Sequence, residues 1–500
     1  MSPKGSLDKD LEKIVHVEAA ARSVTRGNVS HGIAILFLGL SGLLAITVTG
    51  ASTEAAIIVF AAILGGYMAL NIGANDVANN VGPAVGARAM TMIGALVIAA
   101  VFESAGALLA GGDVVDTISK GIINPDLVPD PNVFVWGMLA ALLSSAVWIH
   151  LATFIGAPVS TTHAVVGGVL GIGIAAVGFD LVNWHVFGAI AASWVISPVL
   201  GGVIAALFLA FIKLNIIYRE DKIAAARRWI PILVAVMAGA FAWYLSVKGF
   251  KRFWKPDLTT LLIIAIGSFT VVYAIMKPLV RRQSEGLENR NQSLRKLFHI
   301  PLICSAALLS FAHGANDVAN AIGPVAAILH GVQDGALSAK VTVPIWVMII
   351  GAFGISLGLF LYGPKLIRMV GSKITKMNPM RAYCVALSAA LTVIVASWLG
   401  LPVSSTHIAV GAVFGVGFFR ESFTRRSKRR QELMQRQRQS RLGEDSPPVD
   451  MKPAHSPEEI LKRKLVRRSH FLTIVAAWVV TVPASAALSA TVYWILSLVR

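Results

Sequence analysis

Long apolar stretches recur along the whole of the 500-residue chain and set its class. They are separated by short polar segments, and we delimit thirteen of them: 31–49, 55–85, 90–112, 133–153, 157–178, 185–212, 229–247, 259–277, 298–329, 341–363, 381–400, 402–419 and 470–499. A helix needs about 20 mostly apolar residues to cross a hydrocarbon core roughly 30 Å thick. The stretches are continuously apolar, whereas barrel strands would alternate. The pattern predicts an all-α polytopic, multi-pass membrane protein with about 12–13 membrane segments.

Two short polar motifs interrupt the apolar stretches, and each occurs twice in the same order. The octet GANDVANN at 73–80 returns as GANDVANA at 314–321, and APVSTTH at 157–163 returns as LPVSSTH at 401–407. We therefore predict a duplicated chain. Its parts are a cytoplasmic N-terminal segment 1–30, a first half 31–215, a linker 216–297 with two additional membrane segments, and a second half 298–500 with a basic cytoplasmic insert 420–469.

Loop charges predict that the two halves have opposite orientations. Loop 113–132 carries four Asp and one Lys, while the matching loop 363–380 carries four Lys or Arg and no acid. Insert 420–469 has 15 Lys or Arg against 7 Asp or Glu. Because cytoplasmic loops are rich in Lys and Arg, the repeats are predicted to be inverted, with the C-terminus outside. The basic segment 248–257 disagrees, since it falls on the predicted outer side.

The octets place carboxylates and amides where a bilayer would penalise them. Such groups in apolar segments indicate a functional site. Gly73 and Gly314 are expected to break their helices, which predicts broken or re-entrant segments at 55–85 and 298–329. The cation-binding or proton-coupling candidates, with Na⁺ or H⁺ as the coupling ion and Na⁺ as a metal at the two carboxylates, are Asp76, Asp317, Asn79 and Asn320. The alternative is that these residues cap broken helices.

The second motif supplies hydroxyl groups at the starts of helices. A proline ends one helix and suits the beginning of the next, so the hydroxyls are predicted N-caps beside backbone N–H groups. Hydroxyl and N–H donors together suit an oxyanion, and ordinary capping is the alternative. The substrate-binding candidates are Ser160, Thr161, Thr162, Ser404, Ser405 and Thr406, together with Asn75 and Asn316 of the octets.

Three further polar residues in apolar runs are candidates for a gate or a proton-carrying group. His163 and His407 follow the hydroxyls directly, and Glu103 lies in the run FESAGALLAGG. Histidine titrates near neutral pH. The alternatives are hydrogen bonding between helices for the histidines and structural pairing for Glu103.

The net charge of +18 bears on partners. Much of it lies in insert 420–469, which favours anionic membrane lipids rather than nucleic acid, since no recognition fold accompanies it. A second copy of the chain is a further candidate partner. The sequence has neither a Gly-x-Ser-x-Gly elbow nor an HExxH motif, so an enzyme is disfavoured and no cofactor is predicted.

The paired motifs GANDVANNVGP and GANDVANAIGP, PVSTTH and PVSSTH, and WVISP and WVVTVP resemble those of the inorganic phosphate transporter (PiT) family. The resemblance implies an inverted-repeat fold in a cell membrane, a bacterial inner membrane in this case. It implies H⁺- or Na⁺-coupled uptake of inorganic phosphate by alternating access, with the site at Asn75, Asp76, Asn316, Asp317 and the six hydroxyls. A sulfate permease of the same family and an anion channel are the alternatives.

Overall fold

The computed structural model describes residues 6–50, 52–123, 128, 130–155, 159–176, 178–249, 254–333, 343–369, 377–426 and 468–499. Most of insert 420–469 therefore lies outside the described residues. Within the described ranges the chain is helical apart from turns and loops, and an isolated bridge joins Ile123 to Val182. The predicted all-α fold is confirmed.

The helices are numbered here in chain order. They are α1 (Ser6–Thr49), α2 (Thr53–Asn75), α3 (Ala78–Gly86), α4 (Met92–Ala110), α5 (Gly112–Asp116), α6 (Pro131–Ile155), α7 (Thr161–Ala176), α8 (Trp184–Ile212), α9 (Lys222–Tyr244), α10 (Leu258–Gln283), α11 (Asn291–Leu297), α12 (His299–Gln333), α13 (Ile345–Met369), α14 (Pro379–Trp398), α15 (Ser405–Arg426) and α16 (Arg468–Val499). Single π-helical turns extend α5, α8 and α9, at Thr117–Gly121, Lys213–Ile217 and Leu245–Gly249.

Eleven helical segments of the described chain are long and apolar enough to cross a membrane. Two of the thirteen predicted segments are not among them. Helix α7 is apolar but has only 16 residues, and α15 ends in the basic sequence RESFTRR. Both follow a Pro-Val-Ser motif, so both helices belong to the polar elements of the two halves. The chain is a multi-pass membrane protein.

The octet interrupts its helix in the first half and not in the second. Helix α12 runs for 35 residues straight through the second octet, so the predicted break at Gly314 is wrong. In the first octet only the turn at Asp76 and Val77 separates α2 from α3, and Gly73 itself is helical. The chain leaves helix at the Pro-Val-Ser motifs, before Thr161 and between Trp398 and Ser405.

The glycines of the octets serve close helix packing instead of a break. A methyl group at Gly314 would lie 2.1 Å from the carbonyl oxygen of Glu103 in α4. A methyl group at Gly73 would lie 1.9 Å from the carbonyl oxygen of Ile355 in α13. Small residues let membrane helices approach to backbone contact, and this contact occurs once for each octet.

These two contacts are related by exchange of the halves. The octet helix α12 of the second half packs on α4 of the first, and the octet helix α2 of the first half packs on α13 of the second. Between α4 and α13 the hydroxyls of Ser104 and Ser356 are 2.7 Å apart. Each half therefore completes the helix packing of the other, which brings both octets to one place.

The same exchange holds for the helices that follow the Pro-Val-Ser motifs. Gly171 of α7 lies against the backbone of Ala486 in α16, and Gly411 of α15 lies against the backbone of Pro198 in α8. The linker helix α10 has no such partner in the described chain beyond α9, and its apolar residues, such as Ile263 and Ile266, are exposed. An exposed apolar face of this kind is suited to lipid.

Candidate functional site

The first members of the site are two asparagines that bond the non-helical segments before α7 and α15, residues 159–160 and 399–404, here called the first and second hairpin tips. Asn75 Nδ2 donates to the carbonyl oxygen of Val159 (3.3 Å). Asn316 Nδ2 donates to the carbonyl oxygen of Leu401 (3.1 Å), and its Oδ1 accepts from the backbone N–H of Val403 (3.0 Å). The two octet helices thus satisfy backbone groups that the breaks leave unpaired, as an apolar setting requires. Both side chains are used for positioning in this arrangement.

The hydroxyls begin the two helices as the sequence predicts. Ser160 Oγ accepts from the backbone N–H of His163 (3.2 Å), and Ser404 Oγ accepts from that of His407 (3.4 Å). The following hydroxyl residues lie in the first turns of α7 and α15. A helix start carries unpaired N–H donors and a partial positive charge, so both first turns are suited to an anion.

Asp76 receives hydroxyls from both halves. Thr161 Oγ1 donates to its Oδ2 (2.7 Å), and Thr406 Oγ1 lies 3.2 Å from its Oδ1. Asn79 Nδ2 donates to Thr406 Oγ1 (2.8 Å). The carboxylate of the first half is therefore bound by both hydroxyl motifs at once.

Asp317 has a different neighbourhood. His313 Nε2 lies 3.0 Å from Asp317 Oδ2, and the other ring nitrogen, Nδ1, is hydrogen-bonded to Glu103 Oε2 (2.9 Å). Asn80 Nδ2 donates to Glu103 Oε1 (2.8 Å). Glu103, His313 and Asp317 expose at most 1% of their side chains. They form a buried polar chain that leads from α4 to the second octet.

The pairing of a glutamate with a histidine beside the aspartate is not repeated at the equivalent positions of the other octet. The contacts of the two octet glycines make Ile72 the equivalent of His313, and Ile355 the equivalent of Glu103. Both isoleucines are fully buried. The two carboxylates of the site are therefore equivalent by position but not by environment.

Three buried oxygen atoms of the second octet and of the first turn of α15 have no hydrogen-bond partner in the described chain. They are Asp317 Oδ1, Asn320 Oδ1 and Ser405 Oγ, all buried. Asn320 uses its Nδ2 as a donor to Thr162 Oγ1 (3.1 Å), which leaves its carbonyl oxygen available. Buried polar atoms are normally paired, so such oxygens mark a place for a ligand that accepts lone pairs, a cation.

The electrostatics of the site also favour a cation. One ligand atom each from Asp76, His313 and Asp317 lies within 4.8 Å of the others. Two ionised carboxylates at that distance repel each other by about 3 kcal/mol at an effective dielectric constant near 20. The side chains of Asp76 and Asp317 are nearly inaccessible to water, which cannot then screen the repulsion.

The two predicted histidines meet at the interface of the halves. The ring centroids of His163 and His407 are 4.7 Å apart, and the ring of Trp194 is 3.9 Å from that of His163. Trp194 Nε1 donates to the carbonyl oxygen of Pro402 (3.1 Å), which fixes the second hairpin tip. The histidines therefore pack against each other where α7, α8 and α15 meet.

The candidates named from the sequence include the carboxylates, amides and hydroxyls that the structure brings together. They do not include His313 and Asn80, two polar residues of the same site. His313 stands four residues before Asp317, a spacing that puts both on one helix face. Asn80 ends the first octet, where the second octet has Ala321. The spacing of His313 and Asp317 could have been read from the sequence, whereas the contact of His313 or Asn80 with Glu103 depends on the fold.

A duplicated, all-helical membrane protein with a buried carboxylate and hydroxyl site between its halves is of the class of membrane transport proteins. The model of the phosphate transporter family matches residues 72–489. The chain belongs to this family, one of transporters rather than enzymes, as the sequence predicts.

Relatives and a solved structure agree with this assignment. A Helicobacter pylori (strain J99) protein named "Putative phosphate permease" is 46% identical, over 97% of this chain and 98% of its own length. A Pyrococcus abyssi protein of the same description is 40% identical, over 72% of this chain and 88% of its own. The solved structure titled "The sodium-dependent phosphate transporter" superposes with a TM-score of 0.75 at 36% identity, covering 89% of this chain and 100% of that one.

Proposed function

We propose that this protein is a Na⁺-coupled secondary transporter for inorganic phosphate that works by alternating access. Membership of the phosphate transporter family supports the substrate. The similarity to a structure described as sodium-dependent supports the coupling ion. The same site could serve H⁺ instead, so the coupling ion is tested separately below.

The observation that carries the proposal is the pairing of two buried carboxylates with two helix starts rich in hydroxyls. The first turns of α7 and α15 offer hydroxyl and N–H donors to an oxyanion. Asp76 and Asp317 would repel that anion unless a cation accompanied it. A site of this composition therefore favours phosphate and a cation together over either alone.

The residues divide into three roles. Thr161, Thr162, Ser405 and Thr406 bind phosphate, with Ser160 and Ser404 shaping the two helix starts. The free oxygens of Asp317, Asn320 and Ser405 bind one Na⁺, and Asp76 holds the hydroxyls of both halves toward the site or binds a second cation. A hydrogen-bonded carboxylate can also accept a phosphate OH, which sulfate lacks at neutral pH.

Alternating access is supported by the closure of the site. Asp76 exposes 3% of its surface and Asp317 1%, so an ion reaches either carboxylate only after the packing around it opens. The helices of the two halves interlock, and a movement of one half against the other would open one side of the site while it closes the opposite side. A channel would instead need a continuous wet path.

The experiment is phosphate uptake by the purified protein in proteoliposomes. We expect an inward Na⁺ gradient to drive concentrative uptake of labelled phosphate, with unlabelled sulfate as a weak competitor. Asp76→Asn and Asp317→Asn should each abolish concentrative uptake while the protein still inserts. Normal uptake in both variants would overturn the proposed site.

The arms of the experiment separate the alternatives. Uptake driven by a pH gradient and not by a Na⁺ gradient would identify H⁺ as the coupling ion in place of Na⁺. Equal competition by sulfate would make the protein a general oxyanion carrier, and uptake that never exceeds the equilibrium distribution would indicate a channel.

A further inference from the structure

The linker carries a lysine that contacts both halves at one end of the site. Lys248 lies in the π-helical turn that ends α9. Its Nζ donates to the carboxylate of Asp113 in α5 and to the carbonyl oxygen of Trp398 (3.1 Å), the last residue of α14. One side chain therefore connects the linker, the first half and the second half.

A second contact lies beside the first. Thr117 Oγ1, one turn after Asp113, donates to the carbonyl oxygen of Gly400 (2.6 Å). Gly400 has a φ of +69° and lies against the backbone of Asp113. The segment that begins at Trp398 and leads to the hydroxyls of α15 is thus held at two places. Lys248, which is paired with Asp113, bonds Trp398, and Thr117 bonds Gly400 directly.

The segment held in this way leads directly into the site. Asn316 Nδ2 donates to Ser397 Oγ (2.9 Å) and to the carbonyl oxygen of Leu401 (3.1 Å), on either side of the Lys248 contact. The hydroxyls of Ser404 to Thr406 follow within a few residues. A movement of the hairpin tip that separated Trp398 from Lys248 would therefore uncover the octet helix beneath it.

The environment of Lys248 bears on one of the four basic residues behind the disagreement in the loop charges. Its side chain exposes 14% of its surface, and its charge is paired with Asp113 of the acidic loop that follows α4. The orientation rule counts Lys and Arg in the loops between membrane segments, whereas Lys248 is a partly buried residue of a helical turn. Lys248 is consequently weak evidence against placing this end of the molecule outside.

We propose that Lys248 is the latch of the outer gate: it holds α5 to the end of α14 and must release one of them for the site to open on the predicted outer side. The proposal rests on the alternating-access function above. It makes Lys248 a positioning residue, since it acts through the hairpin tip and does not touch the bound ions.

The test measures access to the site rather than transport. Cys304 and Cys384, the two native cysteines, are replaced by Ala, and Ser397→Cys serves as the reporter. A membrane-impermeant thiol reagent is applied from outside to intact cells and from inside to inverted vesicles. Lys248→Met and Arg290→Met are compared in this background. Arg290 pairs with Glu288 on an exposed surface and serves as the matched control.

We expect Lys248→Met to speed labelling from outside about tenfold, the size expected for the loss of one charge-assisted hydrogen bond from the closed state. Arg290→Met should leave the rate unchanged. Asp113→Asn should act in the same direction as Lys248→Met, whereas Lys248→Arg keeps a donor for both oxygens and should retain slow labelling, which distinguishes the latch from general damage to the fold.

Two results would overturn the latch: an unchanged outside rate in both Lys248→Met and Asp113→Asn, or faster labelling only from inside. The outcome is independent of the substrate. Faster outside labelling in a protein that transports no phosphate would refute the proposed function and leave the latch in place.

Discussion

Asp76 and Asp317 show how far two residues at equivalent positions can differ in environment. Asp76 is bound by hydroxyls from both Pro-Val-Ser motifs. Asp317 contacts His313 and keeps one oxygen without a partner in the described chain. The octets alone show the two aspartates as identical; their difference comes from His313, which precedes the second octet, and from its contact with Glu103, 210 positions away.

Removing the Thr161 hydroxyl that donates to Asp76 should weaken ion or substrate binding without preventing folding. We expect Thr161→Val to lower the apparent affinity for Na⁺ or phosphate about tenfold or more, since a hydrogen bond to a charged group contributes about 1.5–3 kcal/mol. Thr161→Ser keeps the hydroxyl and should stay near wild type. The measurement is the concentration dependence of uptake in proteoliposomes.

The matched control is Thr270→Val on α10. Its hydroxyl donates only within its own exposed helix, to the carbonyl oxygen of Ile266 (2.8 Å). If Thr161→Val and Thr270→Val had the same affinities, the bond to Asp76 would have no part in binding.

At the scale of elements, the second octet departs from what its local sequence suggests, whereas the Pro-Val-Ser motifs do not. Gly, Asn and Asp are typical of interruptions, yet α12 continues through the second octet. The reason is tertiary: Gly314 fits against the carbonyl oxygen of Glu103, and the amide of Asn316 bonds a neighbouring hairpin tip. The prolines of the other motif do end helices, for the local reason that proline gives.

The packing role of Gly314 leads to a stability prediction. A methyl group there would meet a backbone oxygen at 2.1 Å, so Gly314→Ala should destabilise the protein by about 3 kcal/mol, the upper range for overpacking. Gly267→Ala on α10 has open space around it and should be neutral or stabilise by up to about 1 kcal/mol. Thermal unfolding in detergent, followed by size-exclusion chromatography, measures both. Equal melting temperatures would contradict the close contact.

The amide of Asn316 gives a second element-scale prediction. Asn316→Leu loses three hydrogen bonds to the segment 397–403, worth about 1 kcal/mol each, so this segment should become more mobile. Hydrogen–deuterium exchange of its backbone amides should speed up. Asn71→Leu is the control, because the Asn71 amide bonds the carbonyl oxygen of Tyr67 in its own helix. Unchanged exchange in Asn316→Leu would mean that the tip is held without it.

At the scale of the whole molecule, duplication was the most useful information in the sequence. The paired motifs predicted one site built from both halves, and the structure brings Asp76, Asp317 and both hydroxyl motifs together. The exchanged packing of α2 on α13 and of α12 on α4 could not be predicted, since the apolar stretches look alike and do not specify their partners.

The inverted orientation of the halves remains a prediction with a direct test. Reporter fusions should place the N-terminus in the cytoplasm and the C-terminus outside. Trypsin should cut within 427–467 in inverted vesicles and leave it intact in sealed cells, because the basic insert is predicted to face inward. Both termini on one side would contradict the inverted arrangement.

The one-sided Glu103–His313 pair has a consequence for the origin of the chain. Two identical half-length polypeptides, assembled as a pair, would carry this glutamate and histidine either twice or not at all. Buried isoleucines, Ile72 and Ile355, take the equivalent places, so the single polar pair requires two halves of different sequence. The division of labour between the two aspartates therefore depends on divergence of the halves, and no dimer of either half alone can reproduce it.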